Sequence, residues 1–299
     1  MRRKLVLQGK STLTLSLPKR WVDLNNIAPG DEVEIDEKDN QLSIRNINVQ
    51  KPLQEINLSI DGSYNKLRSL LGGFYRGGYE KITLKFTDQK ISKIIFEIVE
   101  SLYGAEIYDV TPNTCVIRIF DQEQEEIPPH FNRMIHIIKT MIEMIIENKR
   151  DAAKEITLLR NKILRERDLI SRLILKQKLL DNGHFPYYML AGNLWNIARN
   201  YTHYYLAQES RKKQDPSTIQ FFQKTNQLFH DFFTKLNQYT HEEIDKRYRQ
   251  VMQEGEILIC KKNSNPQLIA YCFAILMLIQ SSNSHALLLT VAVSKHAGK

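Results

Sequence analysis

The chain has 299 residues, 42% of them hydrophobic and 25% charged, and its 42 Lys and Arg against 34 Asp and Glu give a formal net charge of +8. That apolar share is too high for a disordered chain, and 12 Gly with 9 Pro exclude a collagen-like or low-complexity build. The three cysteines, Cys115, Cys260 and Cys272, are far apart and contain no Cys-x-x-Cys pair, which fits a reducing compartment and leaves a thiolate zinc site without ligands.

The basic start, Met1-Arg2-Arg3-Lys4, has no apolar stretch behind it, so a signal peptide is not expected. Leu13, Leu15 and Leu17 alternate with Thr12, Thr14 and Ser16, and Val33 and Ile35 alternate with Glu34 and Asp36, which predicts strands. Pro29-Gly30-Asp31 and Lys38-Asp39-Asn40 are turn clusters, and Pro18–Leu24 suits one or two helical turns. Residues 51–126 mix helical spacing (Ser63–Phe74 and Ile91–Tyr103) with strand-like runs at Lys81–Phe86 and Thr114–Phe120. From Pro128 onward the pattern is helical. Met134, Ile135, Ile138, Met141, Ile142 and Ile145 form one stripe. Asp151 is placed to cap a following helix that runs to about Leu180 and stops at Asn182-Gly183. That helix carries two apolar stripes, one through Ile156, Leu159, Ile163, Ile170 and Ile174, the other through Leu164, Leu175 and Leu179. Further helices are expected at 187–208, 217–238, 241–260 and 267–295, with a seam at Lys212–Ser217 between two antiparallel three-helix units. The longest apolar run, Leu268–Ile279, spans twelve residues against the ~20 of a membrane-spanning helix, so a core helix is expected and no integral membrane segment.

Charge is polarised at the N-terminus. Residues 1–22 carry six cations (Arg2, Arg3, Lys4, Lys10, Lys19, Arg20) and no acid, whereas residues 23–50 carry seven acids against Lys38 and Arg45. Such a cationic stretch is able to neutralise several phosphates of DNA, and it equally fits an edge strand kept soluble by charge. The helix over Arg160–Lys178 is also rich in cations, namely Arg160, Lys162, Arg165, Arg167, Arg172, Lys176 and Lys178 against Glu166 and Asp168. It reads as a solvated face, with an anionic partner as the alternative. His241-Glu242-Glu243-Ile244-Asp245 has Asp where a zinc-protease motif needs its second His, so it reads as surface capping. The group Tyr187, Tyr188, Trp195, Tyr201, Tyr204 and Tyr205 is spaced as a helix face and reads as core. Nothing in the histidine or cysteine spacing assembles a nucleophile with a base, and no enzyme is indicated.

Two stretches carry a family resemblance. Gly9-Lys10-Ser11-Thr12, the strand end Leu17-Pro18-Lys19-Arg20-Trp21, and Gly30-Asp31-Glu32-Val33-Glu34-Ile35 with Leu42-Ser43-Ile44 resemble the AbrB/MazE/SpoVT swapped-hairpin family. That resemblance implies two chains interleaved in one β-barrel that contacts DNA through basic and hydroxyl positions, here Arg3, Lys4, Lys10, Ser11, Thr12, Lys19 and Arg20. Gly72–Ile82 and Leu102–Ile107 are similar to the linker module of archaeal-type PhoU-like regulators of phosphate uptake, and Pro128–Glu147 with Asp151–Ile156 is similar to the opening of the PhoU helical domain. The acids that hold metal in that family do not carry over. Of the first motif only Asp168 is present, Trp195 and Arg199 stand where the second has acids, and Leu276–Ser282 has none, so neither metal nor cofactor is expected.

The resulting expectation is an α+β multidomain chain. Its segments are a swapped-hairpin DNA-binding domain (1–50), an α/β connector (51–126) and two PhoU-like three-helix units (127–214 and 215–299), about six helices in all. The resemblances imply a cytoplasmic, homodimeric DNA-binding transcriptional regulator of phosphate uptake that is not an enzyme. The alternative is an adaptor that dimerises through the barrel without binding DNA and meets a phosphate transporter or signalling protein through its helices.

Overall fold

The structure is a computed structural model, and it describes residues 2–38, 41–46, 53–60, 64–121, 126–147, 151–176, 184–210, 215–234, 240–262 and 264–297. It is a mixed α+β chain that divides into two compact units, Met1–Leu53 and Gln54–Lys299. The first contains two antiparallel hairpins, β1 (Val6–Gln8) with β2 (Thr12–Thr14) and β3 (Val33–Lys38) with β4 (Gln41–Asn46). Between them lies the short helix α1 (Lys19–Leu24).

The second unit opens with a four-stranded sheet, in the order β5 (Glu55–Ser59), β6 (Lys81–Lys85), β8 (Thr114–Ile119), β7 (Ala105–Thr111). β5 and β6 run parallel, joined through α2 (Tyr64–Arg76). β8 pairs antiparallel with both β6 and β7, and α3 (Lys90–Glu100) precedes β7. Alternation along β6 and β8 sends Ile82, Leu84, Cys115, Ile117 and Ile119 to one face. There they meet Leu67, Leu71 and Tyr75 of α2 and Ile91, Ile95 and Ile98 of α3 in one core. Gly104 turns the chain into β7 at φ +66, and a Cβ there would lie 2.1 Å from the Phe120 carbonyl oxygen, so only glycine fits.

Six helices follow: α4 (Ile127–Ile146), α5 (Ala153–Lys176), α6 (Phe185–Glu209), α7 (Pro216–Thr234), α8 (His241–Ile259) and α9 (Pro266–Ala297). α4, α5 and α6 pack pairwise, as do α7, α8 and α9, and the most extensive helix pair, α6 with α9, joins the two sets. The aromatic face of α6 lies in this core, with Tyr204 stacked on Phe222 at 4.0 Å between ring centres. α9 is long and apolar enough by length and composition to cross a membrane, and here Leu268, Ile269, Cys272, Ile275, Leu276 and Ile279 are buried in the helical core. Thr240 starts α8 with a capping box: its hydroxyl accepts from the Glu243 amide at 3.2 Å and its own amide donates to the Glu243 carboxylate at 2.8 Å. The His241–Asp245 segment is thus the first turn of a capped helix.

Two expectations are corrected. Asp151 does not cap α5. It sits in the left-handed region at φ 59, and its amide donates to Glu209 at 3.1 Å while the Ala152 amide donates to the Tyr205 hydroxyl at 2.8 Å. The two amides just before the helix are therefore held by α6, and Ala152 accepts the first helical hydrogen bond, from the Ile156 amide at 2.9 Å. The cation-rich face of α5 is solvated only in part: Lys162 is exposed and Arg160, Arg165, Arg167 and Lys176 are half-buried, whereas Arg172 is buried. Arg172, 1% exposed, donates to Asp121 (2.8 Å) and to the carbonyls of Tyr75 (2.7 Å) and Tyr79 (2.9 Å). Asp168 accepts from Arg68 and Arg76 of α2, and Glu166 accepts from Tyr103, His130 and Arg133. Lys176 pairs with Glu80 and Asp121. Asp39-Asn40, Lys178, Leu179, the Asn182-Gly183 stop and residues 212–214 of the seam lie outside the described residues.

Burial alone would raise the Glu166 carboxyl, but hydrogen bonds from His130, Tyr103 and Arg133 outweigh it and hold the pKa below the ordinary value. Asp121 behaves alike, with burial opposed by Arg172 and Lys176. A carboxyl depressed in the folded state stabilises fully above its unfolded pKa, about 4.3 for Glu and 3.9 for Asp, and that contribution is lost as pH falls through the folded value. Urea unfolding from pH 7 down to pH 3 is expected to show stability falling below about pH 4. E166Q is expected to lose about 1–3 kcal/mol at pH 7 and to flatten that acid limb.

Candidate nucleic-acid interface

The first hairpin is amphipathic by register. Leu7 opposes Leu13 on one face, while Val6 opposes Thr14 and Gln8 opposes Thr12 on the other. Gly9 takes φ +71 at the hairpin tip, a conformation that glycine adopts without steric cost. The Thr14 hydroxyl donates to the Val6 carbonyl at 3.1 Å, tying the open end.

The seven predicted contact residues are all exposed. Lys10 and Ser11 form the tip and Thr12 begins β2, so these three share one end of the hairpin. Arg3 and Lys4 precede β1, whereas Lys19 and Arg20 open the first turn of α1 after Pro18, so both pairs flank the open end. Strand pairing therefore gathers the seven into a tip group and an open-end group. Among the described residues none of the five cations makes an ion pair. Arg2 belongs to the same run and is equally exposed; the uninterrupted Arg2-Arg3-Lys4 signal in the sequence includes it.

The second hairpin has the opposite charge. Glu32, Glu34 and Glu37 are exposed there. Asp31 accepts from the Ala28 amide at 2.7 Å, which fixes the turn into β3. Asn46 of β4 donates to the Asn25 carbonyl at 2.7 Å, holding this hairpin to the end of α1. On its apolar face Ile35 opposes Ile44, and Leu42 lies two residues along from Ile44.

Neither apolar face is fully covered, and on the second only Val33 and Ile44 are half-buried. Among the described residues of Met1–Leu53 no side chain is buried; Leu7 is 62% exposed, Leu13 60%, Ile35 57% and Leu42 68%. The unit that presents the cations thus also leaves Leu7, Leu13, Ile35 and Leu42 in water. Sequence alternation expects these apolar side chains to be buried by a second copy, and in the single chain Leu7, Leu13, Ile35 and Leu42 are exposed.

Residues 6–49 match the profile of a family described as antidote-toxin recognition MazE, bacterial antitoxin. The matched stretch runs from β1 through β4 and includes Lys10, Ser11, Thr12, Lys19 and Arg20. No curated protein and no solved structure matches the chain. The N-terminal unit is similar to a MazE-type domain, and that similarity covers its two hairpins and the helix between them.

Proposed function

We propose that the chain is a DNA-binding transcriptional regulator, not an enzyme, that docks on duplex DNA as a homodimer through residues 1–53. One observation carries this reading: a MazE-like unit with no buried side chain among its described residues presents exposed cations at the tip and open end of its first hairpin, beside two rows of exposed aliphatic side chains. A second copy that interleaves its hairpins as a barrel covers Leu7, Leu13, Ile35 and Leu42, at about 1.5–3 kcal/mol for each side chain fully buried. Dimerisation also doubles the cation set and gives it two-fold symmetry, which suits a palindromic duplex site. Contacts from Arg3, Lys4, Lys10, Lys19 and Arg20 to phosphates release counterions, and the Ser11 and Thr12 hydroxyls add hydrogen bonds.

The two joined three-helix sets support the PhoU-like reading of the helices, with a phosphate transporter or signalling protein as their partner, regulation of phosphate uptake as the process and the cytoplasm as the location. The lone Asp168 of the family's metal motif is engaged by three arginines, which supports a regulator without a metal cluster. The name of the matched family favours toxin binding as a second reading of the same unit.

If a dimer neutralises ~6 phosphates, the slope of log affinity against log salt is expected near −5. K10A/K19A in both subunits is expected to flatten it to about −2, while K93A, on exposed α3 surface, leaves it unchanged. Fluorescence anisotropy on duplex DNA reads both. No salt-dependent binding by the intact chain would transfer the reading to the adaptor. In analytical ultracentrifugation the full chain is expected to sediment as a dimer, and L13D as a monomer whose α4–α9 helices melt as in the parent. A dimer that survives L13D would contradict the interleaved arrangement.

A further inference from the structure

On the α2-facing side of α5, three guanidiniums converge on one carboxylate. Asp168 is fully buried and lies 2.8 Å from Arg68, 2.8 Å from Arg76 and 2.9 Å from Arg167. The arginine side chains are 13%, 25% and 21% exposed, so the cluster reaches the surface on its arginine side. Gly72 makes the convergence possible. It lies one turn from each of Arg68 and Arg76, and a Cβ there would sit 2.7 Å from one guanidinium nitrogen and 3.1 Å from the other.

The cluster is overcharged. Three cations meet one anion, and each guanidinium has five N–H donors of which Asp168 takes few. The Nε of Arg167 is buried and has no acceptor among the described residues, a state that ordinarily calls for a water or an ion. Burial lowers the Arg167 pKa, Asp168 raises it, and Arg76 with Arg68 lower it again, so the net shift is downward. The nearby face of α6 leaves room. Trp195 lies with its ring 6.0 Å from the Arg167 guanidinium, and Gly192, one turn earlier on α6, has no heavy atom within 4 Å of where its Cβ would be.

We propose that Arg68, Arg76 and Arg167 form a binding site for a small tetrahedral oxyanion of the inorganic phosphate or sulfate class. The carboxylate of Asp168 holds the three planar forks in one place, and an oxyanion accepts the N–H groups that Asp168 leaves free. Its charge offsets the excess of the cluster, which disfavours a metal cation at the same spot. Because Arg68 and Arg76 belong to α2 and Arg167 to α5, a bound oxyanion adds a bridge between the α/β layer and the helices. None of these residues belongs to the N-terminal unit, so the site stands or falls independently of DNA binding.

The test titrates the full chain with sodium phosphate, and separately with sodium sulfate, by isothermal calorimetry at pH 7 and constant ionic strength. K10A/K19A is run in parallel to remove phosphate contacts at the N-terminal hairpin. Saturable binding of either anion is expected in both proteins. R76K and R167K, which keep the charge and lose the fork, are expected to weaken binding at least tenfold while the helical circular dichroism is retained. Should a lysine variant fail to fold, the parent decides: Arg68, Arg76 and Arg167 side-chain 1H–15N resonances are expected to shift on adding phosphate or sulfate. Binding of neither anion, affinity unchanged in R76K and R167K, or arginine resonances that shift equally with sodium chloride would overturn the proposal.

Discussion

A guanidinium taken out of water needs anions and acceptors around it, and the second unit is arranged about one such group. Arg172 of α5 reaches the end of the sheet through Asp121 and the end of α2 through the Tyr75 and Tyr79 carbonyls. With Asp168 and Glu166 on the same helix, it makes the join between the α/β layer and the helices largely ionic. Removing one member of a buried pair costs about 3–5 kcal/mol, because the other charge is then left without compensation. Aliphatic packing would hold the layers together as well. The bond from Arg172 to the Tyr75 carbonyl and those from Arg68 and Arg76 to Asp168 also fix the register of α2 against α5.

The N-terminal unit is held together differently. Its hydrogen bonds are local: two ladders, the Asp31 turn and the Asn46 link to α1. None of its described side chains is buried, and Leu17, Val22, Ile27, Val33 and Ile44 are only half-buried. A segment of some 50 residues buries little apolar surface alone and usually depends on a staple or a partner. The exposed cations at the tip and open end of the first hairpin share this unit with the exposed aliphatic side chains, so whatever covers those side chains also sets how the cations are arrayed.

The elements were legible in the sequence where a single period governs them. The 3.6-residue repeat located α4 to α9, strand-like runs located β6 and β8, and the two-residue alternation pointed to β2 and β3, although β2 ends at Thr14, short of Leu15 and Leu17. The exposed cations were legible too, since an acid-free run of 22 residues leaves no local partner for them. The charged face of α5 was not. Asp168 pairs with Arg68 and Arg76, roughly 100 residues away, and no spacing rule connects such positions. Nor was the entry to α5: Asp151 has the right chemistry for a cap, but Tyr205 and Glu209 of α6 supply the acceptors.

We propose the nucleic-acid surface on the N-terminal unit and not on the helices. Hydrogen–deuterium exchange on the full chain, with and without saturating duplex DNA at low salt, tests it most directly. The account expects new protection at the β1–β2 hairpin and the start of α1, with exchange in α5 and in α7 to α9 unchanged. Protection confined to the helices, with the amides of residues 2–22 exchanging as in the free chain, would contradict it.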